Sequence, residues 1–439
     1  MKKLWLSLLA GIALTTVVAC SKEETSNEND TTTSEELVVE IKEPVTIEFW
    51  HAMSGTNEGA VNSLVEKFNS TVGKEKGITV VPIFQGSYND LKSKVTASLK
   101  AGTAPAISQA YADWVAEYLQ SEQVVNLTPY INHASVGMTD LNDIAQVYRD
   151  ENTQYDEAKS YYSLPFNKST EVLYYNKTFF EENNLTVPTT WDEVEEVSKQ
   201  IYELTGKPGF GIDSTQNYFV TMVKQYGGEY TNSQGDILFG EGDAAVKALE
   251  LFKRNADAGY WRLAGEDNYM SGPFLNEQVY MYTGSTSGSS FLNDDNFEWS
   301  STPMPQVSET TKAVIQQGTN VVVMKQNQSA EQIYAAYEFA KYLTSYEANL
   351  AFATETGYLP IRQSVIDSAE YQAYVESSND STKVTGPEQI SYNFYDPAFF
   401  KGSISSYNVR SEAGKAVESV VLSGVEPSVA VQTALDALK

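Results

Sequence analysis

From Pro44 onward the chain alternates between strand-like and helix-like hydrophobic patterns. Val45, Ile47 and Phe49 fall on every second position, the period of a strand with one face toward a core. Residues 57–69 place Val61, Leu64, Val65 and Phe68 at helical spacing. The run Ile78–Phe84 predicts a second strand. Residues 88–100 predict a helix with Leu91, Val95 and Leu99 on one face, and residues 104–111 predict a third strand. Strand, helix, strand, helix, strand implies parallel pairing through right-handed crossovers, and hence an α/β fold.

A second region begins near Ser163. Leu173, Tyr174 and Tyr175 read as a strand. Thr190 can cap a helix, and Glu193 completes a capping box, so a helix is expected to run to about Leu204. Residues 207–211 read as a turn around Pro208 and Gly209. Helical patterns recur over residues 244–257 and 330–344, with a short buried strand at 321–324. No internal repeat is visible.

The first residues follow another rule. Lys2 and Lys3 precede an apolar run over residues 4–18 that is short for a membrane span. The run closes on Val17, Val18, Ala19 and Cys20. A small residue at a cut site, followed by a thiol that can take up a diacylglycerol, resembles a bacterial lipoprotein signal. An ordinary signal peptide with a chance cysteine is the plainer alternative. Residues 1–19 are therefore expected to be a signal peptide and Cys20 a lipid anchor on the outer face of the cell membrane. Residues 20–43 are acidic and nearly free of large apolar side chains, as in a disordered tether.

Composition narrows the function. Asp and Glu total 58 against 30 Lys and Arg, a net charge of −28, which argues against nucleic acid as a partner. Cys20 is the single cysteine, so disulfide scaffolds and Cys-based zinc sites are excluded. The histidines are His51 and His133 alone, which makes a histidine metal site or a Ser-His-Asp triad improbable. No metal or cofactor is expected.

Candidate chemistry is sparse. Gly209 and Gly211 are two glycines of a dinucleotide fingerprint without the third, and read as a turn. Gly284 to Gly288 enclose Ser285, Thr286 and Ser287, either a small-residue turn or a hydroxyl- and amide-rich loop that holds a ligand. The group Asn293, Asp294, Asp295 and Asn296 lacks the spacing and terminal glutamate of a calcium loop. Asp192, Glu193, Glu195 and Glu196 suit a helix N-terminus. No acidic pair stands out as the carboxylates of a glycosidase, which remains a distant alternative.

Several blocks, in order, resemble the solute-binding proteins of ABC importers for sugars and glycerol phosphates. They are Phe49-Trp50-His51-Ala52-Met53-Ser54-Gly55, Gly102-Thr103-Ala104-Pro105-Ala106, Pro165-Phe166-Asn167-Lys168-Ser169-Thr170, Leu173-Tyr174-Tyr175-Asn176-Lys177, Pro188-Thr189-Thr190-Trp191-Asp192 and Thr356-Gly357-Tyr358-Leu359-Pro360-Ile361. The resemblance implies a two-lobed periplasmic-binding-protein-like α/β fold of type II. Residues 44–155 and 303–353 would form one lobe, and 156–302 and 354–439 the other, closing on ligand in the interlobe cleft. It implies a monomeric, non-enzymatic receptor delivering a small molecule to the transmembrane subunits of a permease.

The glycerol-phosphate binders of the family imply the site residues. Here these are Tyr88, Ser169, one hydroxyl among Ser285, Thr286 and Ser287, Gly318, Tyr358 and Arg410. One fork-shaped cation and several neutral donors suit a phosphate. Taken alone, each reads more simply: the tyrosines as packing, Ser169 as a turn, Arg410 as a surface helix residue. The chain also departs from the pattern. A glutamate is expected after the tyrosine of the third strand, but Tyr111 is followed by Ala112, and Asp113 is the next acid. Asp113 can replace it only if the strand has already ended. In the segment 213–218, Tyr218 stands alone where the pattern has tryptophans. A glycerophosphodiester is therefore favoured over plain glycerol-3-phosphate, with Asp113 and residues 214–218 meeting its far end. An oligosaccharide is the alternative ligand.

Overall fold

The computed structural model describes residues 37–292 and 296–439. The signal peptide, Cys20, most of the tether and residues 293–295 lie outside the described residues. Val38–Lys439 form one compact unit.

Its centre is a sheet built from β1 (Val45–His51), β2 (Ile78–Phe84), β3 (Ile107–Ala110), β4 (Leu164–Asn176), β5 (Phe210–Ile212), β6 (Trp261–Leu263), β7 (Met281–Ser285), β8 (Trp299–Pro303), β9 (Val314–Val323) and β10 (Asn393–Phe394). The order is β2-β1-β3-β9-β4-β7-β5-β6, with β10 beside β9 and β8 beside β4. β1 runs parallel to β2 and β3, and β5 runs parallel to β6 and β7. Between these parallel sets lie β4 and β9, antiparallel to each other. β4 is buried along nearly its whole length, as a central strand covered on both faces must be.

Each parallel set carries its own apolar cluster. Leu91, Val95, Trp114, Val322 and Met324 pack on the β1–β3 side. Trp191, Phe210, Phe252, Trp261 and Val417 pack on the β5–β6 side. The expected Thr190–Glu193 capping box opens the Trp191–Thr205 helix, and the pattern over 244–257 is the Ala244–Asp257 helix.

Three expected boundaries move. The strand expected over 104–111 is the short β3, and Tyr111 already caps the Ala112–Leu119 helix. Its pairing with β9 ends at Ala110 opposite Asn320. The expected turn ends at Gly209, because Phe210 enters β5. The strand at 321–324 is the end of the longer β9. Gln316, Gln317, Thr319 and Asn320 hide the rest of it from an apolar pattern.

Gly318 sits in the middle of β9 with φ +89°. The β4–β9 register shifts between Pro165 and Lys168, and a Cβ on residue 318 would lie 1.8 Å from the Asn167 carbonyl oxygen. Only glycine permits that approach. Beside it the fully buried Lys168 pairs with Glu151.

Candidate ligand-binding site

A cavity of about 610 Å³ opens where the two parallel sets meet. Its walls come from the carboxyl ends of strands, where open α/β sheets place ligands. Ala52, Met53 and Ser54 follow β1; Phe84, Gly86, Ser87 and Tyr88 surround the end of β2; Tyr111 follows β3. Asp213 and Ser214 follow β5, and Ser285, Ser287 and Gly288 stand at the end of β7. Ser169 on β4 and Gln317 and Gly318 on β9 close it from the central strands, and Tyr358 also lines it.

Six residues expected at the ligand therefore line this cavity: Tyr88, Ser169, Ser285, Ser287, Gly318 and Tyr358. They form two hydroxyl groupings. The Tyr88 and Tyr358 hydroxyls are 3.2 Å apart, and Asn167 Nδ2 donates to Tyr88 at 3.1 Å. Asn167 is in turn held by Gln109 Nε2 at 2.9 Å and by the Thr319 hydroxyl. On the other side Ser285 Oγ donates to Ser169 Oγ at 3.0 Å and lies 2.9 Å from Ser287 Oγ. The loop over 284–288 thus begins as the end of β7, with the Ser285 and Ser287 hydroxyls turned to the cavity.

Three expected residues stand elsewhere. Thr286 is fully buried, and its Oγ1 accepts from the Thr170 N–H at 3.5 Å. Asp113 does not line the cavity. The strand has ended before it, as its role required, but the first helical turn directs its Oδ1 to the Trp114 N–H at 3.0 Å. Burial pushes its pKa up to about 6. Arg410 is also absent from the lining; its guanidinium donates to the Asp396 carboxylate and to Asn217 Oδ1. Within 214–218, Ser214 lines the cavity, whereas Tyr218 is in the core with its hydroxyl on the Ala248 carbonyl.

Sequence reasoning passed over Asp213. It follows the apolar β5 directly, and that position, at the carboxyl end of a strand after a glycine turn, was the available signal. Its Oδ1 accepts from the Met270 N–H at 2.5 Å, and burial raises its pKa to about 7. Behind it Glu171 is raised to about 7, first by burial and further by the charge of Asp213, while Asn217 Nδ2 donates to it at 3.0 Å. Also unanticipated were the cavity's aromatic side chains Phe84, Tyr111, Tyr269, Tyr282 and Phe291. Among the described residues, no lysine, arginine or histidine lines it. Among the described residues no group of His, Cys, Asp and Glu is arranged to hold a metal ion, and no helix is long and apolar enough to cross a membrane.

The chain is 26% identical over 351 residues to the sn-glycerol-3-phosphate-binding periplasmic protein UgpB of Pectobacterium atrosepticum, covering 76% of this chain and 77% of that one. It is 25% identical over 359 residues to the protein of that name from Escherichia coli K12, covering 77% and 80%. Among solved structures, UgpB from Mycobacterium tuberculosis in complex with glycerophosphocholine superposes with a TM-score of 0.78 at 18% identity, over 90% of this chain and 97% of that chain. The cyclic α-maltosyl-1,6-maltose binding protein from Arthrobacter globiformis superposes with a TM-score of 0.73 at 22% identity, over 90% and 98%. These structures share the mixed α/β fold. Residues 63–379 match the model of the bacterial extracellular solute-binding proteins, and the chain belongs to that family as a solute-binding protein of an ABC importer.

Proposed function

We propose that this receptor captures a glycerophosphodiester and delivers it to the membrane subunits of its importer. One observation carries the reading: among the described residues, the cavity offers many neutral donors and no lysine or arginine, beside a carboxylate. A phosphomonoester carries about −1.5 to −2 charges at neutral pH and would need a cation to offset Asp213 and Glu171. A phosphodiester carries a single charge, which the Tyr88, Tyr358, Ser169, Ser285 and Ser287 hydroxyls and the Gly318 backbone suit. Relatives named for glycerol-3-phosphate, and a similar fold solved with glycerophosphocholine, support the ligand class.

An oligosaccharide is the second reading. The ring-rich wall of Phe84, Tyr111, Tyr269, Tyr282 and Phe291 favours it, since sugars stack on aromatic faces. Calorimetric titration with glycerophosphocholine, glycerol-3-phosphate and maltotriose separates the two. Glycerophosphocholine should bind tightest; tightest binding by either of the others overturns the proposal. The ligand should be recovered unchanged, as for a receptor. The two lobes inferred from the sequence should close on it, lowering the radius of gyration in X-ray scattering. Anchoring through Cys20 belongs to the same proposal. Cys20→Ala should release the protein from the membrane fraction or block its maturation.

A further inference from the structure

Among the described residues, Asp213 is the single carboxylate on the cavity wall. Its Oδ1 is committed to the Met270 N–H, and its Oδ2 accepts from no described residue. Room for that second oxygen comes from Gly284: a Cβ there would lie 2.5 Å from Asp213 Oδ2. The carboxylate is thus fixed through one oxygen, with the other unengaged. Tyr269 and Tyr282 stand close by, and the charge of Asp213 adds to burial in pushing both hydroxyls up.

The surrounding charges do not balance. Glu171 lies behind Asp213 and adds a second carboxylate. Arg410 is committed to Asp396 and Asn217, and its charge acts on Glu171 but not on Asp213. Lys92 and Lys224 act on Asp113 and Asp396, away from Asp213. A desolvated carboxylate with no cation is costly, and the cost is removed by a ligand that brings a positive charge or by a proton. Aromatic rings beside an anion are also how proteins recognise ammonium groups.

Resting on the phosphodiester reading, we propose that Asp213, with the exposed ring of Tyr269, forms a subsite for an ammonium group on the ligand, and that this subsite selects the head group. The ligand class narrows to zwitterionic phosphodiesters, whose anionic end meets the hydroxyl groupings and whose cationic end meets Asp213. The titratable groups that sense Asp213 are Glu171 and Tyr174 on β4, Tyr282 on β7 and Tyr269. All are acids, so among the described residues none supplies the missing positive charge.

The test compares glycerophosphocholine with glycerophosphoglycerol, which has the same phosphodiester and a neutral head group. The parent protein should prefer the choline ester about tenfold, and Asp213→Asn should bring that ratio to about one. Asparagine keeps an acceptor for the Met270 N–H, so the variant can fold as the parent does. The parent's preference should widen between about pH 6 and 8 as Asp213 ionises, and the variant's should stay flat. Tetramethylammonium, titrated by NMR, reads the subsite without any phosphate. Its Asp213-dependent binding, with both phosphodiesters failing, would keep the subsite and overturn the phosphodiester reading. Tight binding of both phosphodiesters with an unchanged ratio in Asp213→Asn would keep that reading and overturn the subsite.

Discussion

The Arg410 guanidinium is paired with the Asp396 carboxylate outside the cavity lining, and its other prong goes to Asn217. The pair ties the Ser406–Ser423 helix to the segment after β10 and to the Thr215–Gln225 helix. Asp396 Oδ1 is buried and has no hydrogen-bond partner among the described residues, so Asp396 leans heavily on Arg410. Arg410→Ala should therefore act first on stability. Breaking a buried pair costs about 3–5 kcal/mol; with side-chain exposures of 24% and 15%, the lower end is expected. Arg410→Lys should recover part, since it restores charge without the fork. Urea unfolding of the ligand-free proteins measures this. Parent-like stability in Arg410→Ala would mean that the pair does not hold the fold together.

This arrangement marks where the sequence stopped being readable. β1 and β2 announce themselves through period-two apolar residues, and the Trp191–Thr205 helix through Thr190 and Glu193, because local sequence dictates those elements. Ser169 and Tyr358 were legible through the resemblance of their surrounding blocks, and Ser285 only as one of three hydroxyls in the loop over 284–288. β9 was half hidden, because a central strand has no polar face to alternate with and its Gln316, Thr319 and Asn320 are buried. The partners of Arg410 and the exposure of Asp213 to the cavity depend on contacts across long sequence separations. No local pattern encodes those.

The Tyr88 and Tyr358 hydroxyls share one chain with Asn167. Tyr88→Phe and Tyr358→Phe should each weaken ligand binding by about 1–3 kcal/mol, as a donor or acceptor in the cavity is lost. Because the hydroxyls form one chain, the double variant should cost less than the sum of the singles. Calorimetric binding constants for the three variants decide it; strict additivity would show that the hydroxyls act independently.

Stability should depend on pH near neutrality. Asp213 and Glu171 are raised to about 7 in the folded protein, and Asp113 to about 6. The folded state then holds protons that the unfolded chain has released, so stability falls as pH rises from about 4 to 7. His51, lowered by burial to about 4, works in the opposite sense up to about pH 6.5. From about pH 6.5 to 7.5 the carboxyls outweigh what remains of His51 and the opposite pull of Lys383, lowered by burial to about 8, and the ligand-free protein should lose about 1 kcal/mol, or roughly 1–2 °C in Tm. Asp213→Asn should remove about half of that slope. A Tm that rises across this window would show that neither carboxyl carries a raised pKa.

Gly318 joins the fold to the site. It lines the cavity, holds a positive φ and lies against the Asn167 carbonyl where β4 and β9 change register. The obstacle to a side chain is backbone, so no rotamer change can make room. Gly318→Ala must shift β4 against β9 or abandon the bulge. At φ +89° the backbone strain alone is about 1–3 kcal/mol, and the clash adds to it. Displacing β4 also moves Asn167, which supports Tyr88, and Ser169, which meets Ser285. Both hydroxyl groupings are then disturbed by one methyl group that touches neither. Gly318→Ala should therefore lose at least about 2 kcal/mol of stability and at least tenfold in ligand affinity together. Gly242→Ala is the control. It too has a positive φ, but nothing lies within 4 Å of its Cβ position and it is remote from the cavity lining. It should show a milder loss of stability and unchanged affinity. Equal effects of the two substitutions on affinity, by calorimetry, would show that the β4–β9 bulge does not position the ligand-facing hydroxyls.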